Sequence, residues 1–169
     1  MSVKKVPSIT FNTGEYVVYP AHGVGQISDI TKIKTTTGTD LECLVVYFDK
    51  DKMTVGIPTE KIQRGGLRKI ADEKTMNEAF STLQGKAKVK KAMWNKRAQE
   101  YANKINSGNP VAIAEVIRDL YRNKNIAEQS CSERQVYEQA VNRLASEVSV
   151  YSNCSIDDAN KKIIDILSK

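Results

Sequence analysis

The hydrophobic pattern of the chain changes at a Gly65-Gly66 pair, and this change constrains the fold more than any other feature. From Phe11 to about Ile62, short runs of β-branched and aromatic residues are separated by turn residues, which is typical of strands. Beyond the glycine pair, apolar residues recur every three or four positions, which is typical of amphipathic helices. We therefore predict an α+β fold, mainly β in its N-terminal part and all-α in its C-terminal part.

The N-terminal part predicts a small β-barrel. The predicted strands cover residues 16–19, 25–30, 41–48 and 53–57. Between and after them lie glycines, prolines, a hairpin tip at residues 34–40 and a charged turn at residues 49–52. Short strands with turns roughly every 8–12 residues are typical of a small barrel of the SH3-like or Tudor-like kind. Such barrels are binding modules far more often than enzymes.

The C-terminal part predicts a compact bundle of about five short helices. Most of the helices start at a capping residue: Asp72, Asn109 before Pro110, Ser130 with Glu133 three positions later, and Ser155. One further helix begins near Met93 or Trp94 and ends at Ser107-Gly108. We expect a flexible tail at residues 1–10, a barrel domain at residues 11–66 and a helical domain at residues 67–169.

The segment at residues 86–104 carries a charge equal to that of the whole chain. It holds one acidic residue, Glu100, and seven basic ones: Lys86, Lys88, Lys90, Lys91, Lys96, Arg97 and Lys104. The formal net charge of the protein is +6, so the rest is close to neutral. Trp94, the single tryptophan, lies within this run. A basic run with a flat aromatic side chain suits a nucleic-acid backbone and its bases. The alternative is a solvated helix face that its tryptophan anchors to a core.

No residue pattern in the chain favours catalysis, a metal site or a cofactor. His22 is the only histidine, and it lies in a turn without a serine or cysteine motif. The paired aspartates are typical of turns and helix caps. Gly23 and Gly25 lack the third glycine and the helix of a phosphate-binding loop. We therefore expect a protein that is not an enzyme and needs neither cofactor nor metal.

The cysteines and the hydropathy pattern favour a cytoplasmic protein. Cys43, Cys131 and Cys154 are odd in number, and their spacing fits neither a zinc site nor a redox motif, so we expect reduced thiols. No apolar run approaches the roughly 18 residues that span a bilayer. The N-terminus also lacks the apolar block of a signal peptide. We expect no membrane partner, and a pI near 9.2 favours an anionic one.

Several segments resemble one family of bacterial transcription regulators. GEYVVYPAHGVG at residues 14–25 closely resembles the opening of the CarD/CdnL family. VGIP at residues 55–58, MWNKR at 93–97 and AEVIRDLYR at 114–122 are similar to later family segments, as are Ser107-Gly108 and the capped helix at Ser130. The first motif also occurs in the barrel of the transcription-repair coupling factor, a far larger ATPase without this helical part. The combination, over about residues 11–168, is therefore specific.

The resemblance implies a Tudor-like RNA-polymerase-interacting domain followed by a helical DNA-binding domain. In the family, the helical domain reaches the upstream edge of the transcription bubble, where a tryptophan wedges into the minor groove and props the open complex. Trp94 matches that tryptophan, and Lys96 and Arg97 match neighbouring basic positions. We add Lys90 and Lys91 to the expected DNA contacts because they belong to the same basic run.

The resemblance also implies that the barrel docks on the β subunit of RNA polymerase, partly through a sheet edge. We expect Lys34, Val55 and Pro58 to take part in this contact. Two departures from relatives bear on these surfaces: Gly56 stands where some carry an arginine, and Gln99 stands where some carry a basic residue. We take a monomer as the default and expect the protein to be cytoplasmic and associated with the nucleoid through RNA polymerase.

Two other functions remain as alternatives at the level of sequence. One is an RNA-binding barrel protein associated with translation, although the basic run lies in the helical part rather than on the barrel. The other is an enzyme acting on a small substrate, which would require His22 and acidic residues to meet in a pocket.

Overall fold

A computed structural model of the chain describes residues 11–20, 22–65, 67–88, 92–121 and 130–169. Its strands are β1 (Tyr16–Tyr19), β2 (Gly23–Lys34), β3 (Asp40–Phe48), β4 (Met53–Pro58) and β5 (Arg68–Lys69). Its helices are α1 (Thr59–Gly65), α2 (Glu73–Gln84), α3 (Trp94–Asn106), α4 (Pro110–Leu120), α5 (Cys131–Ser152) and α6 (Ile156–Leu167). The predicted α+β class is confirmed, because an antiparallel sheet is followed by helices. The predicted tail at residues 1–10 lies outside the described residues.

The strands form one antiparallel sheet in the order β4-β3-β2-β1-β5. A bulge between Ile27 and Asp29 interrupts the pairing of β2 with β3, and such a bulge increases the local twist. Gly25 is required where the sheet packs on itself, because a Cβ there would lie 2.6 Å from a methyl carbon of Val46. The sheet core is built from the following residues: Phe11, Val17, Ile27, Leu44, Val46, Phe48, Ile57, Ile62 and Leu67.

The sequence pattern does not predict two elements beside the glycine pair. Residues 59–65 form α1, and β5 pairs with β1 through Arg68 opposite Val18. The expectation that the chain is helical throughout beyond Gly66 is therefore wrong at β5. A two-residue Arg-Lys strand has no apolar periodicity, so only its partner strand defines it. The domain boundary at residue 66 stays a prediction. The strand β5 lies beyond that residue in the chain but belongs to the sheet.

The helices α2 to α6 share a second hydrophobic cluster. The buried members come from every one of these helices: Met76, Ala79, Leu83, Tyr101, Ile105, Ile113, Ala114, Val116, Ile117, Leu120, Ala140, Val141, Leu144, Ala145, Val148, Ala159 and Ile163. The apolar residues that recur along these helices therefore face one shared core, as the sequence predicts. Ile156 is an exception: its side chain is 50% exposed, because the first turn of α6 lies at the rim of a groove between α5 and the sheet.

The predicted helix caps are confirmed. The side chains of Asp72, Asn109, Ser130 and Ser155 each accept a hydrogen bond from a backbone N–H of the first helical turn. The start of α3 differs: its N-cap is Met93, and no side chain that the structure describes caps it. Its first turn also carries no acidic residue, so the positive end of the helix dipole is left uncompensated there.

Candidate nucleic-acid interface

Trp94 is the first residue of α3 and lies at the edge of the helical cluster. Its side chain is half-buried, so it is neither the fully exposed wedge nor the fully buried anchor that the sequence leaves open. The ring lies 6.3 Å, between centroids, from that of Tyr101, with the planes tilted by 49°. Tyr101 is buried and supports Trp94 from about two turns further along the same helix.

Arg97 lies against both of these rings. Its guanidinium carbon is 5.7 Å from the ring centroid of Trp94 and 5.8 Å from that of Tyr101. One terminal nitrogen also donates a hydrogen bond of 3.3 Å to the Tyr101 hydroxyl. A guanidinium at this distance from an aromatic face is attracted to it by about 0.5–1 kcal/mol at partly exposed sites. The structure therefore brings Trp94 and a positive charge together at the first turn of α3.

The other basic residues of this run differ in their solvent exposure and in whether they form an ion pair. Lys96 is exposed on α3, and Lys86 and Lys88 are exposed on the segment before it. Lys104, in contrast, forms a 2.8 Å ion pair with Glu115 of α4, which neutralises its charge locally. Lys90 and Lys91, predicted as DNA contacts, lie outside the described residues.

A buried carboxylate, which no sequence pattern above predicts, anchors the start of the basic run at Lys88. Asp119 of α4 is 5% exposed. It accepts hydrogen bonds from the backbone N–H of Lys88, at 2.9 Å, and from Nε of Arg118, at 3.0 Å. The only local indication of this buried carboxylate in the sequence is a charged residue, between Arg118 and Leu120, within the apolar stripe of α4.

The expected polymerase-binding residues lie on and near one edge of the sheet. Val55 and Pro58 are on β4, the edge strand, where Val55 is half-buried against the sheet core and Pro58 pairs with Cys43. Lys34 is exposed at the end of β2, opposite Asp40. Asp40 lies three residues from Cys43 along β3, so Lys34 and Pro58 share one end of the sheet, about 10 Å apart along the strand direction.

His22 has a packing role in the described structure. Its ring stacks on Tyr19, 5.5 Å between centroids at 16°, and lies 5.2 Å from the ring of Phe48. Within the described ranges, no group of three or more histidines, cysteines or acidic residues could hold a metal ion. Cys43, Cys131 and Cys154 are free thiols. No described helix is long and apolar enough to cross a membrane.

Comparison with known proteins identifies both halves of the chain. Residues 11–71 match the family model described as the CarD-like/TRCF RID domain, where RID denotes an RNA-polymerase-interacting domain. Residues 78–164 match the model of the CarD C-terminal domain. Together the two matches define the class of protein as a transcription regulator. The chain belongs to the CarD family.

A curated relative agrees with this assignment. The chain is 31% identical over 140 residues to the protein named "Putative transcription factor YdeB" of Bacillus subtilis. The aligned region covers 83% of this chain and 91% of that relative. The similarity therefore extends across the sheet and the helices together, as the predicted combination of motifs requires.

Proposed function

We propose that this protein docks on the β subunit of RNA polymerase through its sheet and stabilises the promoter open complex through the first turn of α3. In this role it acts as a monomer, in the cytoplasm, and reaches the nucleoid through the polymerase. The observation that carries the proposal is the grouping of Trp94, Arg97 and Lys96 at one helix start. The matches to both CarD family models support it from a separate direction.

The sheet edge at β4 supports the docking step. β4 pairs with β3 on one side only among the strands that the structure describes. An unpaired strand edge can add a strand from a partner, and main-chain hydrogen bonds then supply much of the affinity. Exposed Lys34 at the same end of the sheet offers a charge for an acidic patch on the β subunit.

The partly buried position of Trp94 suits a wedge. Inserting an apolar side chain between base steps costs a few kcal/mol of unstacking. The inserted side chain must therefore be held firmly in place. A side chain supported by Tyr101 and Arg97 is restricted in its motion before it meets DNA, so less entropy is lost on insertion. The uncapped, positive end of α3 favours phosphate groups beside it.

The charges around Trp94 account for affinity without sequence specificity. Exposed lysines and Arg97 can contact phosphates, and phosphate contacts position a protein without distinguishing bases. Docking on the polymerase raises the local concentration of this weak DNA-binding surface, so modest intrinsic affinity is sufficient. We therefore expect the polymerase, rather than DNA sequence, to direct the protein to promoters.

The decisive experiment is the lifetime of a promoter open complex formed with RNA polymerase from the same organism. Wild-type protein should lengthen this lifetime, and Trp94→Ala should not, although it still co-purifies with the β subunit. Tyr151→Ala is the matched control, because Tyr151 is another half-buried aromatic residue against the same helical cluster. This control should behave like wild type.

Two outcomes would contradict the proposal. If Trp94→Ala unfolds while Tyr151→Ala does not, Trp94 is a structural residue and the wedge is wrong. If wild-type protein neither binds the β subunit nor changes the lifetime, the docking role is wrong, and binding to structured and single-stranded RNA should be measured next.

A further inference from the structure

A partly buried ion pair joins the sheet to the helical cluster. Glu147 of α5 is 2% exposed, and both of its carboxylate oxygens face Arg68 of β5. The terminal nitrogens of Arg68 lie 2.6 Å and 2.8 Å from Oε1 and Oε2, which is a bidentate arrangement. Oε1 also accepts a hydrogen bond of 2.9 Å from the backbone N–H of Ala71.

Arg68 extends this contact to the turn that ends α3. Its Nε and one terminal nitrogen donate to the carbonyl oxygen of Gly108, in the turn between α3 and α4. The other terminal nitrogen also donates to the carbonyl oxygen of Lys69. These three hydrogen bonds and the two to Glu147 together use all five N–H donors of the guanidinium. One side chain thus connects β5, α5 and the end of the helix that begins with Trp94.

A second contact lies one turn earlier on α5. Arg143 donates a 2.8 Å hydrogen bond to the carbonyl oxygen of Pro20, in the turn between β1 and β2. Burial lowers the pKa of the Arg143 guanidinium from its usual value. Gly108 packs on the same turn, since a Cβ at Gly108 would lie 3.3 Å from Cα of Pro20. The β1–β2 turn is therefore held between α5 and the α3–α4 turn.

These contacts favour one orientation of the two halves over others. Buried ion pairs contribute little net stability, because desolvation offsets much of their attraction, and orientation is their better-supported role. A bidentate pair adds geometric specificity that apolar packing lacks. Any sliding of α5 along the sheet would break the alignment of Glu147 with Arg68 and of Arg143 with Pro20 together.

We propose that Arg68, Glu147 and Arg143 are positioning residues, which fix the angle between the polymerase-docking sheet and the helix that presents Trp94. This inference rests on the proposed function. Rigid linkage sets the effective concentration of the second binding surface once the first has docked. Docking then delivers Trp94 to one position at the bubble edge, and the three residues act through their contacts within the protein.

The test compares wild type with Glu147→Gln, which keeps the side-chain volume but removes the charge that pairs with Arg68. Three properties are measured: β-subunit binding, binding to free duplex DNA, and the protein concentration that gives half of the maximal open-complex lifetime. We expect the first two to be unchanged and the third to rise about tenfold, because effective concentration is lost. Glu138→Gln, an exposed glutamate on the same helix, is the matched control and should change none of them.

A second readout distinguishes orientation from stability. A benzophenone photo-crosslinker at exposed Asn95, beside Trp94, should mark one promoter position with wild type and a spread of positions with Glu147→Gln. A purely structural role would lower the yield of crosslinks without moving them. Crosslinks that stay at one position in Glu147→Gln would therefore overturn the proposal.

A disulfide keeps the test decisive if Glu147→Gln is unstable. A Cβ at Gly108 would lie 3.4 Å from Cβ of Pro20, close to the roughly 3.5–4.5 Å of disulfides. Pro20→Cys with Gly108→Cys is added to Glu147→Gln, with the accessible cysteines changed by Cys131→Ser and Cys154→Ser. Gly108 has a φ of 70°, so the strain of a cysteine there is present in both redox states and cancels in the comparison.

The oxidised protein should regain the wild-type half-maximal concentration, and the reduced protein should not. If oxidation closes the disulfide without restoring this value, the orientation role is overturned. Failure of the proposed function is a separate result, since wild type itself would then leave the open-complex lifetime unchanged.

Discussion

The buried carboxylate of Asp119 accepts a hydrogen bond from the backbone N–H of Lys88, which precedes it by 31 residues. This contact ties the start of the basic run to the core-facing side of α4. The same oxygen accepts from Nε of Arg118, so one side chain orients two basic residues. The described part of this segment, which ends at Lys88, is therefore anchored to the helical core.

We expect Asp119→Ala to destabilise the protein by about 3 kcal/mol, because breaking a buried ion pair leaves a charge poorly compensated. For a chain of this size, that change lowers the melting temperature by roughly 6–12 °C. Asp119→Asn should cost less, since its amide oxygen can still accept from Lys88. Thermal melts of both variants check this order. If the two variants lost the same stability, the hydrogen bond to Lys88 would contribute nothing and the charge would account for the whole loss.

Arg97 should act on Trp94 in a way that lysine cannot reproduce. Arg97→Lys keeps the positive charge but loses the planar contact with both rings. We therefore expect the salt dependence of DNA binding to be kept while the fluorescence of Trp94, the single tryptophan, shifts to longer wavelength. Arg97→Ala should change both properties. An emission spectrum unchanged in Arg97→Lys would show that the stacking contact does not define the environment of the ring.

Lys96 tests the electrostatic part of the proposed DNA interface. The side chain is exposed and is not among the ion pairs found within the described residues. If it contacts one phosphate, Lys96→Gln should reduce the slope of log affinity against log salt by about 0.9. Lys161→Gln, at an exposed position on α6, should leave this slope unchanged. Equal slopes for all three proteins would remove Lys96 from the interface.

Asp72 gives α2 a pH dependence whose sign follows from its contacts. Hydrogen bonds from the Thr75 side chain and backbone hold the pKa of Asp72 below its usual 3.8. The stabilisation of α2 is therefore complete above about pH 3.8 and is lost as the pH falls through the lowered value. Urea unfolding at a series of pH values checks this: the difference between wild type and Asp72→Ala should be constant near neutrality and disappear in acid. A difference that persists in acid would contradict the role of the carboxylate.

The features that the sequence predicts are those with a local cause. Asp72, Asn109 and Ser155 were identifiable as caps because the capping side chain and its backbone donor lie two or three residues apart. The apolar stripes of the helices are local for the same reason. The start of α3 at Trp94 follows from the change of pattern after the lysines. These elements form as predicted because local preference and tertiary packing agree.

The features that the sequence does not predict depend on distant partners. Arg68 and Glu147 are 79 residues apart, and nothing in the residues around either one indicates the other. The strand β5 exists because β1 lies beside it, and the half-buried state of Trp94 depends on Tyr101 and Arg97. Burial and pairing of this kind are set by the assembled fold, so a single sequence contains no local pattern for them.

Gly56 provides a test of docking in which function is gained rather than lost. It is exposed on the edge strand β4, and a Cβ there would meet no atom within 4 Å, so a larger side chain fits without strain. The family resemblance of the sequence implies that some relatives carry arginine at this position. We therefore expect Gly56→Arg to bind the β subunit roughly tenfold more tightly, as one charge-assisted hydrogen bond would allow.

Two variants isolate the cause of such a gain. Gly56→Gln adds a side chain without charge, and it should gain only the strand preference that glycine lacks. Thr54→Arg adds the same charge to the same exposed face of β4, about 7 Å away, and should gain little if the contact is specific. Binding to the isolated β subunit at two salt concentrations compares all three. If Gly56→Arg binds no more tightly than wild type while its melting temperature is unchanged, β4 is not the docking edge, and the opposite edge at β5 becomes the surface to test.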